Sequence, residues 1–550
     1  MTGPAEDTKS QLTLLSSKLL HQHQAVEAAL NRHVFVWKEI EEKSQKRNSG
    51  ISKTPRSHIV QVSEIVGIHK VEDEDHTKSK WDQKKTLQFS QLFPNAFTVF
   101  YVKRTKNHRW RCNEATFSCS SAELCEQWIQ VTREQLSLLT NRPKRLLVYI
   151  NPFGGKRRGK RIYEEKVAPV FQQAGISADV IVTERANHAR DHLTTEANLQ
   201  QYDGVVCVGG DGMFSEILHG LVARTQNDNK VDQKHPDAEL KPCMLRIGII
   251  PAGSTDCICF ATVGTNDPVT SALHIIIGDS QPMDVCSVHH NDVFLRYSVS
   301  LLGYGFYGDV LADSEKKRWL GPARYDLSGV KAFLCHNYYK GTVSFLPAED
   351  NLGHPRDKLQ CRFGCSICQH KQSSKDKLRE TADEETAAEV TSSSWKVICG
   401  KFIAINAANM SCACPRSPKG LSPSAHLADG TADLILVRKC SRLDFFRHLL
   451  RHTNTDDQFD HSFVEVHRVK KFHFEPLDPQ PLLLENQSEL PKKPGFCPMG
   501  SAQTTCIPSA AHSSWNCDGE ILHHAAIQVS VHRQLIRLFA RGIEEQQQRL

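Results

Sequence analysis

The sequence predicts a multidomain chain of three units: an antiparallel β domain closed by one helix, an α/β layered domain, and a β-rich C-terminal domain. Three observations carry this reading. At roughly 150 residues per domain, 550 residues exceed one core. Short β-like runs open the chain, and four nearly continuous apolar runs separated by helical stretches follow them. From about Asp292 the pattern returns to β runs.

The first unit is expected at 31–141, after an N-terminal extension at 1–30. Its runs are HVFVW, HIVQVSEIVGI, LQFSQLF and FTVFYVKR. Ala122 to Leu139 then sets Leu124, Trp128, Ile129, Val131 and Leu136 mostly on one helical side. Antiparallel strands ended by an amphipathic helix with a central Trp resemble a pleckstrin-homology domain. That resemblance implies a phosphoinositide-containing membrane surface or a protein as partner. Lys43, Lys46, Arg47, Lys53 and Arg56 supply charge for an anionic headgroup, with a solvated basic loop as the alternative.

The second unit is expected at 142–291. RLLVYIN, ADVIVT, YDGVVCVGG and LRIGIIPAG are β-branched and end in glycines or polar turns. Strands of this kind are buried on both faces between helices, and such sheets bind ligands at their carboxyl ends. The third unit, 292–550, carries RYSVSLLGYGF, KGTVSFLP, VICGKFIAINAAN, ADLILVRKC, FVEVHRVKKFHFEP and AIQVSVHRQLIRLFA. Two insertions are expected to be mobile loops: 369–394 has no Phe, Trp or Tyr, and 476–512 holds seven of the 24 prolines.

Composition narrows the function classes. The net charge, 68 − 62 = +6, is too small to indicate a nucleic-acid partner by itself. The opening MTGPAEDTKS has no apolar run, so the 19 cysteines are expected in a reducing compartment. No segment approaches the roughly 18 apolar residues of a membrane span, so any membrane contact is expected from the surface of a cytoplasmic protein.

The most informative segment is YDGVVCVGGDGMFSEILHGL. Gly209, Gly210 and Gly212 let a backbone approach phosphate oxygens, and the helix that follows favours negative charge. Asp211 stands where a base accepting a hydroxyl proton belongs; a tight turn with Asp211 as N-cap is the alternative. Asn151-Pro152-Phe153-Gly154-Gly155 and Pro251-Ala252-Gly253-Ser254-Thr255-Asp256 follow two other strands of the same sheet, so three such turns are expected to converge. Gly154 to Lys160 satisfies the first seven positions of a P-loop, but the eighth, which should be Ser or Thr, is Arg161.

NPFGG, GGDG, PAGSTD and NCDGE, in this order, together resemble the diacylglycerol kinase catalytic family, in its branch of sphingosine and ceramide kinases. The stretch LLGYGFYGDVLADSEKKRWLGPARYDLSG and the cysteines of CRFGCSIC add to the likeness, which runs from residue 30 onward. The resemblance implies a nucleotide-binding α/β domain and a β-rich lipid-binding domain with the active site between them. It implies transfer of the ATP γ-phosphoryl group to the primary hydroxyl of ceramide, with Mg²⁺ and with Ca²⁺ as a regulator.

Position by position, the resemblance gives Asn151, Pro152 and Phe153, with Thr183, Glu184, Arg185, Ala186 and Asn187, as the nucleotide border. Gly209, Gly210, Asp211 and Gly212 would lie where phosphate meets the lipid hydroxyl, with Asp211 the base. Glu216, Gly253, Ser254 and Thr255 match nucleotide positions, as do Arg318 and Arg324, whose donor forks suit phosphate. Asp518, Gly519 and Glu520 would close the site from the C-terminal domain. Sphingosine kinases carry an aspartate at the position of Leu311. A leucine there suits an acylated, uncharged amine, unless Asp309 or Asp313 takes over that role. The family also points to Golgi or plasma membrane.

Two further signals stay open. Cys361, Cys365 and Cys368 form C-x-x-x-C-x-x-C, readable as a zinc site or as reduced structural thiols. Residues 442–452 place Leu443, Phe446, Leu449 and Leu450 opposite Arg447 and Arg451, a face for calmodulin, for a membrane, or for packing on the β domain. The competing class is a membrane-binding adaptor with a degenerate kinase-like domain, and within the enzyme class sphingosine or diacylglycerol is the alternative substrate. An intact Asp211 and Asp518-Gly519-Glu520 favour the enzyme.

Overall fold

The computed structural model describes residues 12–40, 56–71, 95–321, 323–349, 352–369, 394–453, 457–477 and 512–545. Its first domain is a seven-stranded antiparallel sheet: β1 (Leu15–His21), β2 (Gln24–Leu30), β3 (Val34–Glu39), β4 (Ser57–Gln61), β5 (Ile65–Lys70), β6 (Ala96–Arg104) and β7 (Trp110–Ser118), in the order β4-β3-β2-β1-β7-β6-β5. Helix α1 (Ala122–Ser137) starts at Ser121, whose side chain accepts from the Leu124 N–H. It closes the sheet by burying Trp128 against Phe35 and Phe97, and the Trp128 indole donates to Ser17 Oγ at 2.8 Å. The expected extension at 1–30 needs correcting, because residues 15–30 are the first two strands of this sheet. Lys43, Lys46, Arg47 and Lys53 lie outside the described residues, as does LQFSQLF.

The second domain contains β8 (Arg145–Ile150), β9 (Ser177–Val182), β10 (Gly204–Gly209) and β11 (Arg246–Pro251), all parallel, in the order β9-β8-β10-β11. Its helices are α2 (Gly159–Ile162), α3 (Ala168–Gln173), α4 (His188–Thr195), α5 (Asp211–Asp228), α6 (Cys257–Val263) and α7 (Pro268–Ile277). The strand order reverses between β8 and β10, so the crevice for a ligand lies at their carboxyl ends. Every residue of β10 is buried, which is why that run is continuously apolar. The first domain packs on this one: the Trp110 N–H donates to Thr270 Oγ1 at 2.9 Å, its ring lies 3.9 Å from that of His274, and Arg111 pairs with Asp267 at 2.8 Å.

The third domain continues the same sheet through β12 (Gln281–His290), β13 (Val293–Ser298), β14 (Leu301–Gly305), β15 (Tyr339–Pro347), β16 (Lys396–Ala408), β17 (Ala432–Arg438), β18 (Val464–Pro476), β19 (Trp515–Cys517), β20 (Glu520–Leu522) and β21 (Ile527–Leu538). The join is β21, which runs parallel to β11 at one end and antiparallel to β12 along its length. The helices here are α8 (Phe306–Glu315), α9 (Ala323–Cys335), α10 (Ser366–Gln369) and α11 (Arg442–Arg451). Helix α11 buries Phe445 and His448 on the β domain and leaves Leu443, Phe446 and Leu450 exposed, so its packed face differs from the expected one. Most of the two expected insertions, 370–393 and 478–511, lies outside the described residues.

Candidate active site

Three turns meet at the carboxyl ends of β8, β10 and β11. Asn151 Oδ1 accepts from the N–H groups of Phe153 (2.8 Å) and Gly154 (3.1 Å), folding NPFGG back over its strand. Gly155 has φ +56°, and a Cβ there would stand 2.5 Å from the Ala252 carbonyl oxygen. A Cβ on Gly253 would stand 2.6 Å from Gly210 Cα. Glycine is therefore what permits these turns to touch. Phe153, Gly212, Ser254 and Thr255 face outward from the cluster, with Pro152 half-buried beside Asn151.

Asp211 opens α5 but does not cap it. Its Oδ2 accepts from the Cys257 N–H (3.0 Å) and its Oδ1 from the Ile258 N–H (3.1 Å), both in the first turn of α6. The carboxylate thus lies where two helix N-termini cross, a location that favours negative charge. Burial nevertheless raises its pKa, the two N–H bonds opposing and the charge of Asp518 adding to the rise. Asp256, which ends PAGSTD, is 8% exposed and accepts from the Gly253 N–H at 3.0 Å. Burial first, and then the charge of Asp211, push its pKa up to about 7. Paired acids with raised pKa values mark a site that suits a cation or a proton in transit.

The Thr183–Asn187 turn borders the same crevice. Buried Thr183 sends both its N–H (2.9 Å) and its hydroxyl (3.2 Å) to the Ile150 carbonyl at the end of β8. The Glu184 N–H donates to His188 Nδ1 (3.2 Å), and Arg185 donates to Asp191 (2.7 Å) and to the Ala186 carbonyl (3.2 Å). Glu216 reaches this turn from α5: burial raises its pKa, against the opposing pull of the nearby backbone of Asn187 and Ala189. Its Oε2 is buried with no hydrogen-bond partner among the described residues.

The third domain closes on α5. Asp518, at φ 49°, accepts from the N–H groups of Val299 (2.7 Å), Ser300 (3.0 Å) and Leu301 (2.9 Å) and from the hydroxyls of Ser298 (2.9 Å) and Ser300 (2.6 Å). Gly519 follows with φ +89°. Glu520 accepts from Arg296 Nη1 (2.7 Å), whose Nη2 donates to Ser215 Oγ on α5 (2.9 Å). Sequence spacing carried no sign of Arg296 in this bridge.

His219 adds a second strut. Its Nδ1 hydrogen-bonds the Ser215 carbonyl (2.7 Å) and its Nε2 accepts from the Tyr297 N–H (3.0 Å), which requires the neutral ring. Burial holds its pKa down at about 4, against the pull of the Ser215 carbonyl. Because the folded pKa lies below that of the unfolded chain, about 6.5, this stabilisation is complete above that pH and is lost as pH falls toward 4. The melting temperature is expected to fall between pH 7 and pH 5, and by less in His219→Gln. Parallel pH curves for the two proteins would show that His219 does not contribute.

Arg318 and Arg324 are not joined to the three turns by any hydrogen bond or ion pair among the described residues. Arg318 pairs with Glu315 at the end of α8, and Arg324 lies 3.3 Å from Glu315 and donates to the Tyr325 hydroxyl at 2.7 Å.

Comparison with known proteins gives one answer along the chain. The model of the ceramide kinase PH domain matches residues 15–132, that of the diacylglycerol kinase catalytic domain 145–288, and that of the ceramide kinase C-terminal domain 300–549. Ceramide kinase of Homo sapiens is 57% identical over 88% of this chain and 89% of that protein. Ceramide kinase of Arabidopsis thaliana is 32% identical over 79% of each chain. Sphingosine kinase 1 of Arabidopsis thaliana is 28% identical over 78% of this chain and 81% of that protein. With three domain models in register and more than half of the aligned residues shared with the human enzyme, the chain belongs to the ceramide kinase family.

Proposed function

We propose that this lipid kinase transfers the γ-phosphoryl group of ATP to the primary hydroxyl of ceramide, giving ceramide 1-phosphate. The observation that carries the reading is Asp211, held at the meeting of three glycine turns and two helix N-termini with its proton affinity raised. Asp211 takes the hydroxyl proton as the oxygen attacks, while backbone N–H groups of the turns and the start of α5 bind phosphate oxygens. Asn151 to Phe153, Thr183 to Asn187, Glu216 and Gly253 to Thr255 border the nucleotide. Arg318 and Arg324 would reach its phosphates by exchanging Glu315 for them. Asp518 to Glu520 close the nucleotide site from the third domain, with Glu520 tied through Arg296 to Ser215 on α5.

Mg²⁺ fits this donor set, because Asp256 is a carboxylate pushed toward protonation first by burial and then by the charge of Asp211. Asp256 would hold the ion together with the ATP phosphates. When bound, the ion neutralises charge on the transferred group.

The lipid specificity rests on Leu311, which is buried on α8. Neither nearby acid is free to bind an amine. Asp309 accepts from Ser513 (2.6 Å) and Tyr339 (2.7 Å), and burial raises its pKa. Burial works the same way on Asp313, but hydrogen bonds from Lys317, Lys331 and Ser328 hold it well below the usual range. The kcat/KM ratio of ceramide to sphingosine is expected to drop by about tenfold or more in Leu311→Asp, the size of a single-group discrimination. An unchanged ratio in a folded variant would remove Leu311 from the specificity argument.

Access to a lipid substrate calls for a surface. Trp319, Leu327, Val330 and Leu334 on and before α9 are exposed, as are Leu443, Phe446 and Leu450 on α11, and Phe333 and Phe446 join the two groups at 5.8 Å. This apolar face and the pleckstrin-homology domain support peripheral docking on a phosphoinositide-containing cytoplasmic membrane face, Golgi or plasma membrane. No helix among the described residues is long and apolar enough to cross a membrane. Calcium regulation would enter through calmodulin at α11, where Arg447 and Arg451 flank the exposed apolar residues.

A further inference from the structure

The cysteine-rich turn of the third domain stands apart from the three glycine turns. Cys361, Cys365 and Cys368 lie between β15 and β16, where Gly364, at φ +72°, reverses the chain just before α10. The connection between β16 and β17 brings His426 to the same point. The three sulfurs and one ring nitrogen of His426 all lie within 4.8 Å of one another. Cys361 Sγ stands 3.6 Å from Cys368 Sγ, and Cys365 Sγ stands 3.3 Å from His426 Nδ1.

These distances are those of a coordination polyhedron. A tetrahedral zinc, with Zn–S of about 2.3 Å and Zn–N of about 2.0 Å, sets sulfurs about 3.8 Å apart and sulfur and nitrogen about 3.5 Å apart. Three thiols and an imidazole form one of the standard donor sets of structural zinc. We propose that Cys361, Cys365, Cys368 and His426 bind one zinc ion.

The surroundings are arranged for it. The Leu427 backbone lies beside the Cys361 sulfur and that of Cys368 beside the Cys365 sulfur, where their N–H groups favour the thiolate that a metal needs. Gln534 on β21 donates to the carbonyls of both Cys368 (3.1 Å) and Ala428 (3.2 Å), fixing the two ligand segments to one strand. The Asp284 N–H on β12 donates to the Leu427 carbonyl (2.7 Å), and its carboxylate accepts from Gly430 and Gln534 (2.6 Å each). The Phe363 N–H donates to the Ile543 carbonyl (3.0 Å), tying the turn to the chain beyond β21. Four protein ligands leave no open position, so the ion is structural. It braces the joint of β12 and β21, and β21 pairs with β11, whose end carries the Gly253–Asp256 turn.

Metal analysis of the purified full-length chain tests this, with about one zinc per chain expected after gel filtration. Reconstitution with Co²⁺ alone is expected to give the visible bands of a tetrahedral, thiolate-ligated ion. His426→Ala and Cys365→Ser are expected to lower zinc affinity by at least about tenfold and to melt earlier. His426→Cys restores a ligand and is expected to keep the metal, and the exposed Cys399→Ser is expected to leave it unchanged. If the ligand variants do not fold, the cobalt spectrum of the unsubstituted protein decides alone. Full-length protein with reduced thiols and no bound zinc or cobalt would overturn the site, as would a Cys361–Cys368 disulfide or full zinc affinity in folded His426→Ala.

Discussion

Asp211→Asn is expected to lower kcat by about 10²–10⁴-fold, the range for loss of a positioned base, with KM for ATP within a few-fold of normal. The substitution keeps side-chain volume and one acceptor oxygen. One of the two bonds to the Cys257 and Ile258 N–H groups can survive, while the other becomes poor. Losing that half of an anchor on α6 should cost about 1 kcal/mol, a melting shift of a few degrees that leaves the fold in place. The separation of the two effects is the useful feature. A structural role alone would lower stability and leave turnover of the folded fraction near normal, whereas a base loses turnover in protein that binds nucleotide normally. Steady-state kinetics beside a melting curve distinguish these. Near-normal turnover would remove Asp211 from the chemistry.

The largest stability effect is expected at Arg468 on β18. Its side chain is 3% exposed and that of its partner Asp433 is 1% exposed, with 3.0 Å between them. The guanidinium also donates to the carbonyls of Leu352 (2.7 Å) and Ser424 (2.7 Å), and Asp433 accepts from the Ser422 hydroxyl (2.6 Å). Removing one member of a buried pair strands the other charge, so Arg468→Met is expected to cost about 3–5 kcal/mol. Replacing both, in Arg468→Met/Asp433→Leu, is expected to recover part of that loss, because no charge is left stranded, although the Ser424 carbonyl and the Ser422 hydroxyl lose their partners. Denaturant unfolding of the three proteins measures this. A single variant that loses less than about 1 kcal/mol would mean that Asp433 finds another partner or reaches water.

What was legible in the sequence follows from burial and turn chemistry. Strands sealed on both faces must be apolar throughout, so β8, β10 and β11 announced a parallel sheet, and the glycines at their ends announced close backbone approach. Strands β1 and β2 were missed because LSSKLLH and QAVEAAL are short, with burial on one face only, and do not separate strand from helix. Asp256 was in view but unweighted, since its character comes from facing Asp211 and not from its own neighbours in sequence. His426 could not be paired with the cysteines by spacing, because β16 and the connection after it lie between them. Arg296 is likewise recognised only once β13 is laid beside α5. The short-range part of the site was readable, and the part assembled across domains required the fold.

The most direct test of the central claim is phosphoryl transfer from γ-labelled ATP by the purified full-length chain, offered ceramide, sphingosine and diacylglycerol separately, with the product identified by mass spectrometry. The expected result is label on ceramide at its primary hydroxyl, with sphingosine and diacylglycerol labelled far more slowly and Asp211→Asn near background. Label on sphingosine or diacylglycerol in preference to ceramide, or on no lipid at all, would contradict the account.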